Sequence, residues 1–184
     1  FKNGDLKILH GVGHQVAIAL ERARLYQRER MAQERMAALS HQATHDFLTG
    51  LPNRVLLQDR LQQAILVGQR DNRPLALLVM DLNRFKKVND TLGHYYGDLL
   101  LREINPRLNG ILRATTTVAR LGGDEFAILL PGASAEGAKV VAQEILEAFE
   151  RPFLLEEEQP VAIGASIGIA FFPNHSRDAD LLLQ

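Results

Sequence analysis

The chain has 184 residues, 46% hydrophobic and 23% charged, with 21 basic against 22 acidic side chains and a formal net charge of −1. That length suits one compact domain plus an appendage, and the composition suits a globular protein with a sizeable core. The charge balance leaves no global basic field, so nucleic acid is not expected as a partner and a polyanionic ligand needs a local site. Cysteine is absent, which excludes disulfides and thiolate zinc sites and agrees with a reducing cytoplasm. The longest apolar runs, such as residues 75–80, are too short to span a bilayer, and no secretory pattern opens the chain. The expected location is therefore cytoplasmic. The chain starts mid-pattern at Phe1-Lys2-Asn3-Gly4, as a piece of a longer protein would, and a membrane tether elsewhere in that protein is compatible with this reading.

From about His14 to Ala43 the pattern is helical, with no Pro and no Gly after Gly13. Ile18, Leu25, Ala32 and Leu39 recur every seven residues, as on a coiled-coil seam, but the companion positions Arg22, Glu29, Met36 and Ala43 are half charged. The spacing predicts a connector or signalling helix with a marginal seam; a solvated helix packed on its own domain gives the same pattern. Turn residues from Thr49 to Asn53 start a new helix, roughly 53–69, that buries Leu56, Leu57, Leu61 and Ile65. Asp71 to Pro74 turns into a buried strand, Leu75 to Met80, ending at Asp81. Leu82 to Asp98 reads as a polar loop that leads into a helix over roughly Gly93 to Leu112. A kink or break is expected at Pro106, because an interior proline costs ~3 kcal/mol.

Two apolar runs, Val118 to Leu121 and Phe126 to Leu130, flank Gly122-Gly123 and predict a tight hairpin with both glycines central. A helix capped by Ser134 follows, running through Val140, Val141, Ile145 and Phe149. Phe153 to Leu155 and Val161 to Phe171 read as strands, the second alternating cleanly, and another helix begins at Asp178. The element order predicts an α/β (α+β) fold: a central, mostly antiparallel sheet flanked by helices, with a long N-terminal helix.

Asp81 ends a buried strand, where a side chain can project into a crevice. If that strand pairs with the hairpin, Asp81 approaches Asp124, and two adjacent carboxylates repel unless a cation or shared proton lies between them. Hard oxygen ligands suit Mg²⁺, and two such ions about 4 Å apart can activate a hydroxyl and stabilise a leaving oxygen. Taken singly, Asp81 can equally cap a turn and Asp124 can equally solvate one. In the polar stretch, Lys86 can neutralise phosphate charge, and free N–H groups at a helix start cradle anions. Asn89 and Asp98 together supply an amide and a carboxylate, a pair able to read a guanine edge.

These motifs resemble the GGDEF family of diguanylate cyclases. The resemblance runs from Asp46-x-Leu-Thr-Gly-Leu-Pro-Asn-Arg54 through Asp81-Leu-Asn-Arg-Phe-Lys86, Asn89-Asp90, Gly93-His94 and Gly97-Asp98. It continues through the signature Arg120-Leu-Gly-Gly-Asp-Glu-Phe126 to Ser166-Ile-Gly-Ile169. It implies a cyclase domain over 44–184 with a fold like nucleotide cyclase and polymerase palm domains. It also implies condensation of two GTP into cyclic di-GMP and two pyrophosphates between two facing domains. By family pattern, Asp124, Lys86 and Glu125 are catalytic, with Asp124 as base. Asn89, His94, Asp98, Phe85, Gly122 and Gly123 bind substrate, helped by backbone amides around Arg84 and Phe85. Asp81, the Leu82 carbonyl, Asp124 and Glu125 hold Mg²⁺ or Mn²⁺, two ions per half-site. The implied partner is a second copy, through antiparallel cyclase domains and the N-terminal helix. Residues 1–43 are similar to the end of a GAF sensory domain, from Leu9 to Tyr26, followed by a signalling helix.

Two departures stand out. Many family members carry an Arg-x-x-Asp inhibitory product site, and here the residues are Arg113-Ala114-Thr115-Thr116, so the carboxylate is missing and feedback through Arg113 is not expected. The family pattern also continues with a helix that brings a Lys and an Arg to the triphosphate. The chain stops at Gln184, so the domain is expected to be C-terminally incomplete and, as this segment, poorly active. The alternative reading is a GTP-binding regulatory module controlling an attached C-terminal phosphodiesterase domain.

Overall fold

In the computed structural model, the described residues are 3–156 and 160–183; for 3–21 and 23 only the backbone is described. The chain divides into two compact units, residues 1–43 and 44–184. The first unit belongs to helix α1, Asn3–Thr44, longer than the helix expected from His14. From Arg24 to Ala43 its side chains are exposed, including Leu25, Met36 and Leu39 of the expected seam, and Arg30 pairs with Glu34 one turn on. The Ile18 seam position and the GAF-like side chains before Arg22 lie outside the described residues. No helix among the described residues is long and apolar enough to cross a membrane.

In the second unit the elements are α2 (Arg54–Asp71), β1 (Leu75–Asn83), α3 (Phe85–Leu92), α4 (His94–Asn109), β2 (Thr117–Gly122), β3 (Glu125–Pro131), α5 (Ala135–Glu150), β4 (Phe153–Leu154), β5 (Pro160–Val161), β6 (Gly164–Phe172) and α6 (Ala179–Leu182). Four strands form an antiparallel sheet in the order β2-β3-β1-β6, and β4 pairs with β5 separately. The expected α/β sandwich on an antiparallel sheet is what forms. β1 is central because its run from Leu75 to Met80 is apolar on both faces, and both faces are covered.

Alternation along the strands sorts the core into two layers. Ala76, Leu78, Met80 and Leu82 of β1, with Phe126, Ile128 and Leu130 of β3, pack against α4 through Leu100, Leu101, Ile104 and Leu108 and against α5 through Ile145 and Phe149. Leu75 and Leu77, with Ala127 and Leu129, pack on the other face against Leu57, Leu61 and Ile65 of α2 and Leu182 of α6. Burying side chains of this size contributes roughly 1.5–3 kcal/mol each. Arg107 ties the two helices of the first layer: its guanidinium donates to the carbonyls of Ala148, Arg151 and Pro152 at the end of α5 and lies over the Phe153 ring.

Several local expectations change. The polar stretch after Asp81 is mostly helix α3, whose Phe85, Val88 and Leu92 at i, i+3 and i+7 turn towards the core. Helix α4 runs unbroken through Pro106; Arg102 and Pro106 are both exposed, so the carbonyl left without its amide partner opens to water. The strand expected from Val161 is interrupted, with β5 ending at Val161 and β6 starting at Gly164. Val140 is exposed, since α5 packs through Ala138, Ala142, Ile145 and Phe149 instead.

Candidate active site at the β1 edge and the hairpin turn

On the α2 face of β1, burial falls along the strand: Leu75 and Leu77 are buried, Val79 half-buried and Asp81 exposed. The cover ends just where the carboxylate appears. β1 pairs with β3 so that Asp81 stands directly opposite Glu125, and cross-strand partners share a face. The Leu82 amide donates to the Asp124 carbonyl at 3.3 Å, fixing the turn residue beside the end of β1. Partial burial of its carboxyl, and then the charges of Asp124 and Glu125, raise Asp81 above the ordinary carboxylate value.

The hairpin turn is shifted by one residue from the expected position. Gly122 pairs with Glu125, so the two central residues are Gly123 and Asp124 rather than the two glycines. Leu121 is the extra residue of a bulge between Arg120 and Gly122. Gly123 has φ +55° with open space where a side chain would stand, so the backbone conformation selects glycine there.

Behind the turn lies a set of contacts that the sequence reading did not assign. Arg120 donates from Nε and Nη2 to the Gly123 carbonyl at 3.1 and 2.8 Å, and from Nη1 to both Asp46 oxygens at 3.0 and 3.1 Å. Asp46 Oδ1 also accepts from the Thr49 amide and hydroxyl, at 2.9 and 2.7 Å. Burial alone would raise the Asp46 carboxyl; the Thr49 hydrogen bonds and then Arg120 outweigh it and hold the group below its usual range. Both side chains are largely buried, 10% and 16% exposed. The signal available in the sequence was an Asp and an Arg, each inside a quoted motif but 74 residues apart.

The remaining site residues ride on α3 and α4, which begin just past the end of β1. Phe85 opens α3 and is buried, Lys86 beside it is exposed, and Asn89 one turn on is half-buried. Gly93, at φ +89°, turns the chain sharply into α4, where His94 and Asp98 are exposed. Asn83 at the end of β1 accepts from the Ser166 hydroxyl at 2.7 Å. The structure thus gathers Asp81, Leu82, Asp124 and Glu125 at one strand end and Phe85, Asn89 and Asp98 on the helix pair that follows it. Arg113 lies elsewhere, exposed in the α4–β2 connection, where it lines a cavity of about 560 Å³ with Thr115 and Thr116. A larger groove of about 970 Å³, between α3, α5 and β5–β6, is lined by Arg84 of the expected phosphate-binding backbone but by none of the expected catalytic or metal-holding residues.

All the donors at the strand end are oxygens, and burial, with the charges of Asp124 and Glu125 adding to it, disfavours a bare carboxylate at Asp81, so the set fits a hard divalent cation. No group of three His, Cys, Asp or Glu among the described residues closes around a metal position.

The chain thus presents an antiparallel sheet with a carboxylate-edged hairpin and a polar helix pair at one end. The chain belongs to the GGDEF family: the family model described as "Diguanylate cyclase, GGDEF domain" matches residues 43–184. The bifunctional diguanylate cyclase/cyclic di-GMP phosphodiesterase MucR of Pseudomonas aeruginosa is 48% identical over 131 residues, 71% of this chain and 19% of that protein. Diguanylate cyclase TpbB of the same species is 43% identical over 153 residues, 83% of this chain and 35% of the relative. The chain thus spans about a third or less of these curated relatives. The solved coiled coil and GGDEF domain of DgcB from Caulobacter crescentus, in complex with c-di-GMP, superposes with a TM-score of 0.79 at 26% identity, covering 90% of this chain and 88% of that one. Cyclases of this family use divalent metal ions.

Proposed function

We propose that this domain condenses two GTP molecules into cyclic di-GMP, releasing two pyrophosphates, as one half of a homodimeric bacterial signalling enzyme. The observation that carries the reading is the Asp81–Glu125 register beside the Asp124 turn, which brings three carboxylates to one strand end, as binding of a triphosphate with its cations requires. Asp81, Asp124, Glu125 and the Leu82 carbonyl would hold Mg²⁺ or Mn²⁺, two per half-site. When bound, those ions neutralise phosphate charge and lower the pKa of the attacking hydroxyl. Lys86 and the amides around Arg84 and Phe85 take up triphosphate charge, while Asn89, His94 and Asp98 hold the base and sugar. Gly122 and Gly123 leave the hairpin backbone bare for close phosphate approach.

In each half-reaction the 3′-oxygen of one nucleotide bonds to the α-phosphorus of the other, and the bond from that phosphorus to the pyrophosphate oxygen breaks. Asp124 accepts the hydroxyl proton. Phosphoryl transfer of this kind needs mainly positioning and charge stabilisation, which is what these residues supply. The two nucleotides must come from two copies, so domains meet face to face, and α1 with its exposed Leu25, Met36 and Leu39 is the surface that brings copies together. Residues 1–43 serve as the connector from a sensory domain and 44–184 as the output. Feedback through Arg113 is not part of this reading, because Thr116 offers no carboxylate.

Product formation from GTP and Mg²⁺ in the intact protein tests the proposal. Asp124→Ala should lower it by at least roughly a hundredfold with a melting midpoint no lower than that of the wild type. A wild type that binds GTP tightly and releases no pyrophosphate would replace this reading by that of a regulatory module controlling an attached phosphodiesterase domain.

A further inference from the structure

Glycine costs a helix interior about 1 kcal/mol relative to alanine, yet Gly97 sits buried within α4. Its backbone is not in the left-handed region, so conformation does not explain the residue. Space does. A methyl carbon at Gly97 would stand 1.9 Å from Asn89 Oδ1, 3.0 Å from Asn89 Cγ and 3.2 Å from Phe85 Cζ. At Gly110, past the other end of the same helix, a methyl would meet nothing within 4 Å.

The Asn89 amide therefore occupies the volume that any other residue at 97 would fill. Oδ1 must move away and Cγ must give by a few tenths of an ångström, so the amide cannot keep its present seat. The next residue in the chain after Gly97 is the exposed Asp98, so Asn89 is seated one position from the residue with which it would read guanine.

We infer that Gly97 is a positioning residue for base recognition: its missing side chain lets Asn89 of α3 lodge against α4 next to Asp98. This rests on the proposed contact between Asn89 and the base.

The test uses Gly97→Ala, Asn89→Ala and the double variant of the intact protein, with calorimetric binding of GTP and of inorganic tripolyphosphate, each with Mg²⁺, and thermal midpoints. Each single variant should weaken GTP binding about tenfold, the scale of one hydrogen bond to a base. The double should bind no more weakly than Asn89→Ala alone, and tripolyphosphate, which has no base, should bind all forms alike. The midpoint should fall in Gly97→Ala and recover most of that loss in the double, where only the 3.2 Å approach to Phe85 Cζ remains. Unchanged GTP binding in Gly97→Ala, a double variant carrying the product of both losses, or an equal loss of tripolyphosphate binding would overturn the inference. If Asn89→Ala alone leaves GTP binding intact, the base-contact reading fails and takes the inference with it, while the midpoints still report whether Gly97 seats Asn89.

Discussion

The two sides of the hairpin turn are built on opposite electrostatic plans. Behind it, Arg120 spreads its guanidinium over the Gly123 carbonyl and the Asp46 carboxylate, and Thr49 completes the carboxylate's bonding. In front of it, Asp81 and Glu125 face each other in register with Asp124 beside them, and burial and then these like charges raise the Asp81 carboxyl. A buried ion pair with every oxygen satisfied holds one geometry firmly. An array of like charges holds its geometry only because the backbone ladder imposes it. The contrast separates scaffold from site: the back supplies rigidity, and the front is left under a tension that a cation would relieve.

Removing the scaffold should cost the most. Arg120→Ala leaves Asp46 partly buried without its counter-charge and frees the turn carbonyl, and should destabilise the domain by about 3 kcal/mol in urea unfolding. A loss under 1 kcal/mol would show that the pair is no more than a surface contact. Asp46→Asn keeps the shape and loses the charge, so a smaller loss of about 1.5 kcal/mol is expected at neutral pH. Because the folded Asp46 carboxyl titrates below its unfolded value, its contribution is complete above about pH 4 and disappears as pH falls through the folded value. Wild type and Asp46→Asn should therefore converge in stability at acid pH, and parallel profiles would refute the linkage.

The front should respond with the opposite sign. Asp81 titrates above its unfolded value, so its ionisation favours the unfolded chain and stability drains away as pH rises through the folded value. Without divalent cations at neutral pH, Asp81→Asn should gain up to about 1 kcal/mol, the scale of relieving a like-charged cross-strand pair. Adding Mg²⁺ should raise the wild-type midpoint more than that of the variant. A destabilised Asp81→Asn would mean that the carboxylates are not in tension.

Most of the layer structure was legible because period and burial agree. Leu57, Leu61 and Ile65 recur at helical spacing, and the run from Leu75 to Met80 is too apolar for anything but a central strand. Asp81 was legible for the same reason, as the first charge after that run. What failed was local and physical. Helix α3 carries Phe85, Val88 and Leu92 at the right spacing, but eight residues dense in polar groups read as a loop until α4 packs on them. The turn slipped by one because a bulge at Leu121 is invisible in an alternation count. The Arg120–Asp46 pair was out of reach, since nothing in a single sequence says which of 22 acids meets a given arginine.

The loop from Asp46 to Pro52 closes on itself, with the Asp46 amide donating to the Leu51 carbonyl and a bridge from His45 to Pro52. It then offers the Pro52 carbonyl to the Arg120 amide at 2.9 Å. β2 is an end strand of the sheet, and an end strand with free amides is a template on which another polypeptide can add itself. The loop occupies that template with a proline, a residue that has no amide of its own to pass the ladder on. The segment that braces the turn therefore also takes one amide of this edge, that of Arg120, out of reach of an added strand.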